Sequence, residues 1–384
     1  MDASAFLPED WRDATLLGRI DSGDGPTPVL VRDGRVADLS RIAPTTADLL
    51  NAHSLGRKFP PGADLGPLSE FDFRPAWASD APGATLRLLS PIDLQCIKAA
   101  GVTFAASTLE RVIEERARGD RAAAEKIRTQ LAGRVGGDLG SVRPGSESAA
   151  RLKQALIDDG LWSQYLEVAI GPDAEIFTKA PALSAVGWGD YVGVRADSEW
   201  NNPEPEVVLV CDGKGRPRGA TLGNDVNLRD FEGRSALLLG KAKDNNASTA
   251  IGPFVRLFDA GFTLDDIRGA VVQLEIRGKD GFALEAASSM SLISRDPSEL
   301  VGQTIGKHHQ YPDGFALYLG TMFAPTQDRG IPGLGFTHKV GDRVRITTPA
   351  LGVLENEVAH CDAAPPWVFG IAALMRNLAG RGLL

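Results

Sequence analysis

Residues 201–226 constrain this 384-residue chain more than any other stretch. Asn201-Asn202-Pro203-Glu204-Pro205-Glu206 leads into the apolar run Val207-Val208-Leu209-Val210, which the turn residues Asp212-Gly213-Lys214-Gly215 end. Ala220–Val226 then returns, so the pattern reads as a hairpin. Glu204 and Glu206 are separated by one residue and project from the same face of a strand. At about 3.3 Å of rise per residue they start roughly 6–7 Å apart, within reach of one ion. Pro205 cannot donate to a sheet ladder, which places this spot at a strand start or an edge. A turn centred near Lys214-Gly215 sets Asp225 opposite Glu204. Three carboxylates held together raise one another's pKa unless a cation offsets them. Oxygen donors alone favour a hard ion, Mg²⁺ first, with Mn²⁺ or Ca²⁺ as alternatives. The competing reading of an E-x-E pair is a solvated strand face, and the register with Asp225 leaves the two level.

The rest of the chain points to a β-rich fold. Forty-three glycines and 24 prolines imply many turns. Short strands are expected at 15–20, 28–31 and around Val36, with Asp33-Gly34 as a hairpin signal. Ala270–Ile276 and Val344–Thr347 alternate with period two, and Leu351–Val358 reads as the partner of the latter. Helices are expected over 107–134, with Gly119-Asp120 as a candidate break, and over 148–160, stopped by Gly160. Thr45–Leu50 makes one or two helical turns. Residues 56–84 are rich in Pro, Gly and Asp and read as a connector. The expected division is a small N-terminal β-hairpin unit over 1–85 and a catalytic unit over 86–384.

Composition excludes several functions. Lysine and arginine total 41 against 50 aspartates and glutamates, a formal charge of −9, which argues against a general phosphate-tracking surface for nucleic acid. Cys96, Cys211 and Cys361 form no CxxC pair, so neither a zinc knuckle nor a disulfide framework is signalled, and a reducing cytoplasm fits. No run approaches the roughly 20 apolar residues of a membrane span. The five histidines show no HExxH or H-x-x-x-H spacing, and neither a G-x-S-x-G elbow nor a P-loop is present.

Five ordered segments together resemble the fumarylacetoacetate hydrolase superfamily. Glu204-x-Glu206 resembles its metal pair. Gly223-Asn224-Asp225-Val226-Asn227-Leu228-Arg229-Asp230 is similar to the segment whose first Asp is the third ligand. Leu239-Gly240-Lys241 is similar to its L-G-K, and Gly320-Thr321 to a G-T whose threonine contacts the substrate carboxylate. Gly341-Asp342-Arg343-Val344 with Leu351–Asn356 resembles its closing strands. The resemblance implies an α+β, β-rich fold: a mixed β-roll with few helices and a divalent metal, Mg²⁺ or Mn²⁺, on Glu204, Glu206 and Asp225. It implies a homodimer or homotetramer. Leu161-Trp162-Ser163-Gln164-Tyr165-Leu166-Glu167 and His309-Gln310-Tyr311-Pro312-Asp313-Gly314 resemble the superfamily's sugar-acid branch, which implies a hydro-lyase of non-phosphorylative pentose catabolism. The expected reaction is dehydration of 2-keto-3-deoxy-D-xylonate, the same compound as 2-keto-3-deoxy-D-arabinonate, to 2,5-dioxopentanoate. The alternative on the same fold is a C–C hydrolase or decarboxylase of a 2-oxo acid or β-diketone.

One departure bears on that choice. Ser107 stands where the hydrolases carry a histidine, in Gly101-Val102-Thr103-Phe104-Ala105-Ala106-Ser107-Thr108-Leu109-Glu110, and a hydroxyl cannot replace histidine in proton transfer near pH 7. Glu232 stands where the hydrolase that names the family has glutamine. The expected catalytic groups are Glu110 as base, with Glu114 one turn on as its rival, and Lys241 to polarise the oxo group or move a proton. Thr321, Lys241 and Arg229 are the expected substrate contacts, Arg229 being equally suited to anchoring its loop.

Overall fold

Alternation of period two marks the strands Val271–Arg277 and Arg343–Thr348, whereas Pro205–Cys211 and Thr249–Leu257 are unbroken buried runs. In the computed structural model, residues 3–52, 61–78, 86–131 and 142–384 are described. Strands β1 (Leu16–Asp21), β2 (Thr27–Arg32), β3 (Arg35–Asp38) and β4 (Ala63–Pro67) form an antiparallel meander, and β5 (Arg87–Leu89) pairs with the end of β1. There follow β6 (Cys96–Ala100), β7 (Ile176–Ala180), β8 (Tyr191–Val194), β9 (Asn201–Asn202), β10 (Pro205–Cys211), β11 (Pro217–Asp225) and β12 (Asn227–Leu228). The remaining strands are β13 (Thr249–Leu257), β14 (Val271–Arg277), β15 (Ala283–Ser289), β16 (Phe315–Tyr318), β17 (Arg343–Thr348) and β18 (Gly352–His360).

Among the described residues the larger sheet runs β4-β3-β2-β1-β13-β11-β10-β16-β6-β7, and a second runs β15-β14-β17-β18-β8. Both are mixed, because β16–β6 and β18–β8 are parallel while the other pairs are antiparallel. This is the sheet-rich architecture with few helices that the sequence implies. The odd residues Val207 and Leu209 of β10 share a core with Leu274, Ile276, Val344 and Ile346 of the second sheet. The even residues Val208 and Val210 share another with Val255, Tyr318 and Leu50. Each such side chain contributes about 1.5–3 kcal/mol on burial. A third cluster joins the helices Ala105–Ala117, Glu147–Asp158 and Gln164–Ile170.

The hairpin register is the one the turn implies: Pro205 pairs with Asn224, Val207 with Leu222 and Val210 with Gly219. The expected helix over 107–134 is two helices, Ala105–Ala117 and Arg121–Leu131. They part at the left-handed pair Arg118 (φ 52°) and Gly119 (φ 74°), and residues 132–134 lie outside the described residues. The expected connector 56–84 contains β4, whose pairing with β3 its Gly and Asp content hides. The expected boundary near residue 85, like His53, lies outside the described residues. The N-terminal meander continues the larger sheet through β1–β13 pairing.

Candidate metal centre and cavity

Glu204 stands between β9 and β10, Glu206 is the second residue of β10, and Asp225 ends β11. Glu204 N donates to Asn224 Oδ1 at 3.1 Å, and Asp225 N donates to Glu204 O at 3.0 Å. These bonds lock the mouth of the hairpin. The three buried carboxylates each offer an oxygen, all within 4.8 Å of one another.

Cations surround two of the three. Lys243 Nζ bonds Glu204 and lies 3.1 Å from Asp225 Oδ2. Lys179, fully buried, lies 2.9 Å from Asp225 Oδ1 and also bonds the carbonyl of Lys243. Arg111 bonds Glu204 through one nitrogen and Glu114 at 2.5 Å through another. Burial pushes the Asp225 carboxyl up, but Lys179 and Lys243 outweigh it and hold the group below its usual range. Burial opposes the charged form of Lys243, and Asp225 and Glu204 reverse that and raise it. Glu206 differs. It accepts a 2.6 Å hydrogen bond from Gly320 N, but no cation among the described residues pairs with it. Burial, then Asp225 and Glu204, raise its carboxyl well above the usual range. A third buried carboxylate without a counter-charge, beside two others in an all-oxygen donor set, fits a hard divalent ion.

The triad opens on a cavity of about 20 Å³ whose wall includes Ser107, Arg111, Glu175, Glu232, Lys243 and Thr321. That volume suits one water or one ion, so a larger ligand enters only as wall side chains shift. Glu175 precedes β7 and alternates with Phe177, also on the wall, and with Lys179. A side chain at Gly101 would collide with Glu175 Oε2, so the glycine makes room for this carboxylate. Burial and then Glu232 raise Glu175 to about 7, against the pull of Arg111 and Lys243. A carboxyl at that value exchanges protons at neutral pH.

Of the expected residues, the structure brings Glu204, Glu206, Asp225 and Thr321 to one cavity. Lys241 is exposed, its Nζ 5.7 Å from the Phe231 ring centroid. The lysine at the site is Lys243, because the short helix Leu239–Lys243 turns residues two apart to nearly opposite sides. Glu110 faces the second helix, where Arg128 takes both its oxygens at 2.9 and 2.7 Å. Glu114 is buried between Arg111 and Arg229 (3.2 Å). Arg229 also donates to Asn202 Oδ1 at 2.9 Å and to Pro325 O at 3.3 Å. None of these three lines the cavity. Arg111, Glu175, Lys179 and Lys243 were not singled out by the sequence. The signal for two of them was the period-two stripe Glu175-x-Phe177-x-Lys179.

No family model matches the chain. A probable 2-keto-3-deoxyxylonate dehydratase of Haloferax volcanii is 32% identical over 194 residues, which is 50% of this chain and 63% of that protein. A 2-dehydro-3-deoxy-D-arabinonate dehydratase of Saccharolobus solfataricus is 32% identical over 187 residues, 48% of this chain and 58% of that one. The matches thus span about three fifths of those relatives. The apo form of a 2-keto-3-deoxy-D-arabinonate dehydratase superposes with a TM-score of 0.62 at 22% identity, covering 90% of this chain and 99% of its own. A fumarylacetoacetate hydrolase of Exiguobacterium antarcticum superposes at 0.57 and 14% identity, covering 90% and 100%. The chain has the fold of the fumarylacetoacetate hydrolase superfamily. Within that superfamily fold, the triad sits where β10, β11 and the Gly320 turn meet. Among the described residues no helix is long and apolar enough to cross a membrane.

Proposed function

We propose that this chain is a Mg²⁺-dependent hydro-lyase that converts a 2-keto-3-deoxypentonate to 2,5-dioxopentanoate in the cytoplasm. The observation that carries the reading is the buried triad of Glu204, Glu206 and Asp225, sharing one cavity with Lys243, Thr321 and Glu175. One relative is a 2-dehydro-3-deoxy-D-arabinonate dehydratase and the other is named a probable 2-keto-3-deoxyxylonate dehydratase, and one structural neighbour, a 2-keto-3-deoxy-D-arabinonate dehydratase, is complexed with magnesium and 2,5-dioxopentanoate. The triad would hold the metal, which when bound supplies Lewis acidity toward an α-oxo carboxylate.

Glu175, in its carboxylate form, takes a proton from C3. The C4–O bond then breaks, and the oxygen leaves as water with the proton that Glu175 took from C3 and now donates. The unsaturated product tautomerises to the aldehyde. Lys243, held charged by Asp225 and Glu204, steadies charge that develops on the 2-oxo group. Thr321 Oγ1, which donates to Phe323 O at 3.1 Å, would turn that donor to the substrate carboxylate. Arg111 orients Glu204, and Arg229 acts behind Glu114 rather than on substrate. The hydrolase alternative is less well supported, because among the described residues no histidine is on the cavity wall and Ser107 Oγ is committed to Phe104 O at 2.9 Å.

Purified protein with Mg²⁺ and the 2-keto-3-deoxypentonate tests the reading, with aldehyde formation as readout and chelator as control. Turnover of an acylpyruvate with no aldehyde from the sugar acid would overturn it. The resemblance also implies a homodimer or homotetramer, which sedimentation equilibrium checks.

A further inference from the structure

Glu232 has no part in the chemistry above, yet it lines the same cavity. It ends the helical turn Arg229–Glu232 and is 4% exposed. Its buried Oε2 has no hydrogen-bond partner among the described residues. Arg111 Nη1 is an ion-pair partner at 3.3 Å, but the guanidinium's hydrogen bonds go to Glu114 and Glu204 and none reaches this oxygen. A buried acceptor left without a donor is costly, and a fold that keeps one on a cavity wall has a donor arriving from outside. An ionised carboxylate only accepts hydrogen bonds, so the arriving group must carry an O–H or N–H.

In a 2-keto-3-deoxypentonate the carboxylate and oxo group face the triad, and the C4 oxygen is served by Glu175. The hydroxyl that remains is on C5. We propose that Glu232 is a specificity-determining residue that accepts a hydrogen bond from this terminal hydroxyl. The cavity thereby selects 2-oxo acids with a hydroxylated end over unsubstituted chains of the same length. The inference rests on the reading of the substrate as a 2-oxo sugar acid.

Two ligands isolate the effect. 5-Hydroxy-2-oxopentanoate carries the terminal hydroxyl, and 2-oxopentanoate lacks it. Neither has a hydroxyl on C4, so neither can be dehydrated across C3–C4. Their dissociation constants are measured by calorimetry on the Mg²⁺-loaded enzyme. The wild type should bind the hydroxylated acid at least about tenfold tighter, the scale of a charge-assisted hydrogen bond. Glu232→Leu should bring the ratio close to one, and Glu232→Gln, which keeps a carbonyl acceptor, should lie between. A merely structural Glu232 would weaken both ligands together and leave the ratio unchanged, which overturns the proposal, as does a wild-type ratio of one. Should Glu232→Leu fail to fold by circular dichroism, the wild type and Glu232→Gln decide the matter alone. Failure of the dehydratase reading shows separately: the binding ratio persists, but the 2-keto-3-deoxypentonate yields no aldehyde.

Discussion

The β10–β11 hairpin and the helix Ala105–Ala117 both deliver charged side chains to the cavity, but they place them by different rules. In the hairpin, backbone pairing fixes which residues face each other, so Glu204, Glu206 and Asp225 meet as soon as the turn is located. In the helix, Glu110 and Arg111 are about 100° apart and point to neighbouring sides, and both sides are covered. Glu110 turns to Arg128 of the next helix, whereas Ser107 and Arg111 turn to the cavity. Local spacing cannot choose between two buried helix faces, because the choice is made by what packs on each. Ladder-placed residues are therefore legible one by one, and helix-placed residues only as a set of candidates.

Substitutions can break this contrast, beginning with the hairpin. Asp225→Asn removes one charge without changing shape. It should lower Mg²⁺-dependent turnover by about a thousandfold or more, since a positioned metal supplies several kcal/mol. Unchanged far-ultraviolet circular dichroism would show that the fold survives. Next comes the base. Glu175→Gln should cost about 10²–10⁴-fold in kcat, while Glu110→Gln should stay within about tenfold; the reverse order would restore the helix residue to the chemistry. The two lysines give the next step down. Lys243→Met should lose about a hundredfold in kcat, and exposed Lys241→Met should match wild type in the same assay.

The smaller effects concern pH. Glu175 titrates at about 7 in the folded chain, against about 4.3 for an ordinary glutamate. As a base it must be ionised, so kcat/KM should rise with pH through about 7, and Glu175→Gln should lack that limb. For stability the sign is opposite. The folded state holds this proton more tightly, so the contribution is fully present below about pH 4.3 and is lost as pH rises through about 7. In chelator, wild type should lose on the order of 3–4 kcal/mol relative to Glu175→Gln across that window, measured by urea unfolding. A flat difference would place Glu175 outside the buried cavity.

Much of the sheet was legible because its signals are local. The alternation of Val344–Thr347 and the turn before Leu351–Val358 locate β17 and β18, which pair as expected. β4 was hidden because Asp64, Leu65 and Gly66 show no alternation and depend on β3 for their pairing. At the site, the metal ligands were legible through register and Thr321 through resemblance. Lys243 was not, because the choice between it and Lys241 depends on how the short helix is rotated against β7 and β12. Glu175 was legible in principle, since it shares a face with Phe177 and Lys179.

The joining of β1 to β13 carries a practical consequence. Leu16 and Leu17 cover the side of β13 that would otherwise end the sheet, one strand away from the hairpin that bears Asp225. Cutting the chain near residue 85 to obtain a minimal enzyme would leave β13 as a raw edge with unpaired amides, an invitation to intermolecular strand addition. Shortened versions of this protein should therefore precipitate, and any fusion partner belongs ahead of β1 rather than in its place.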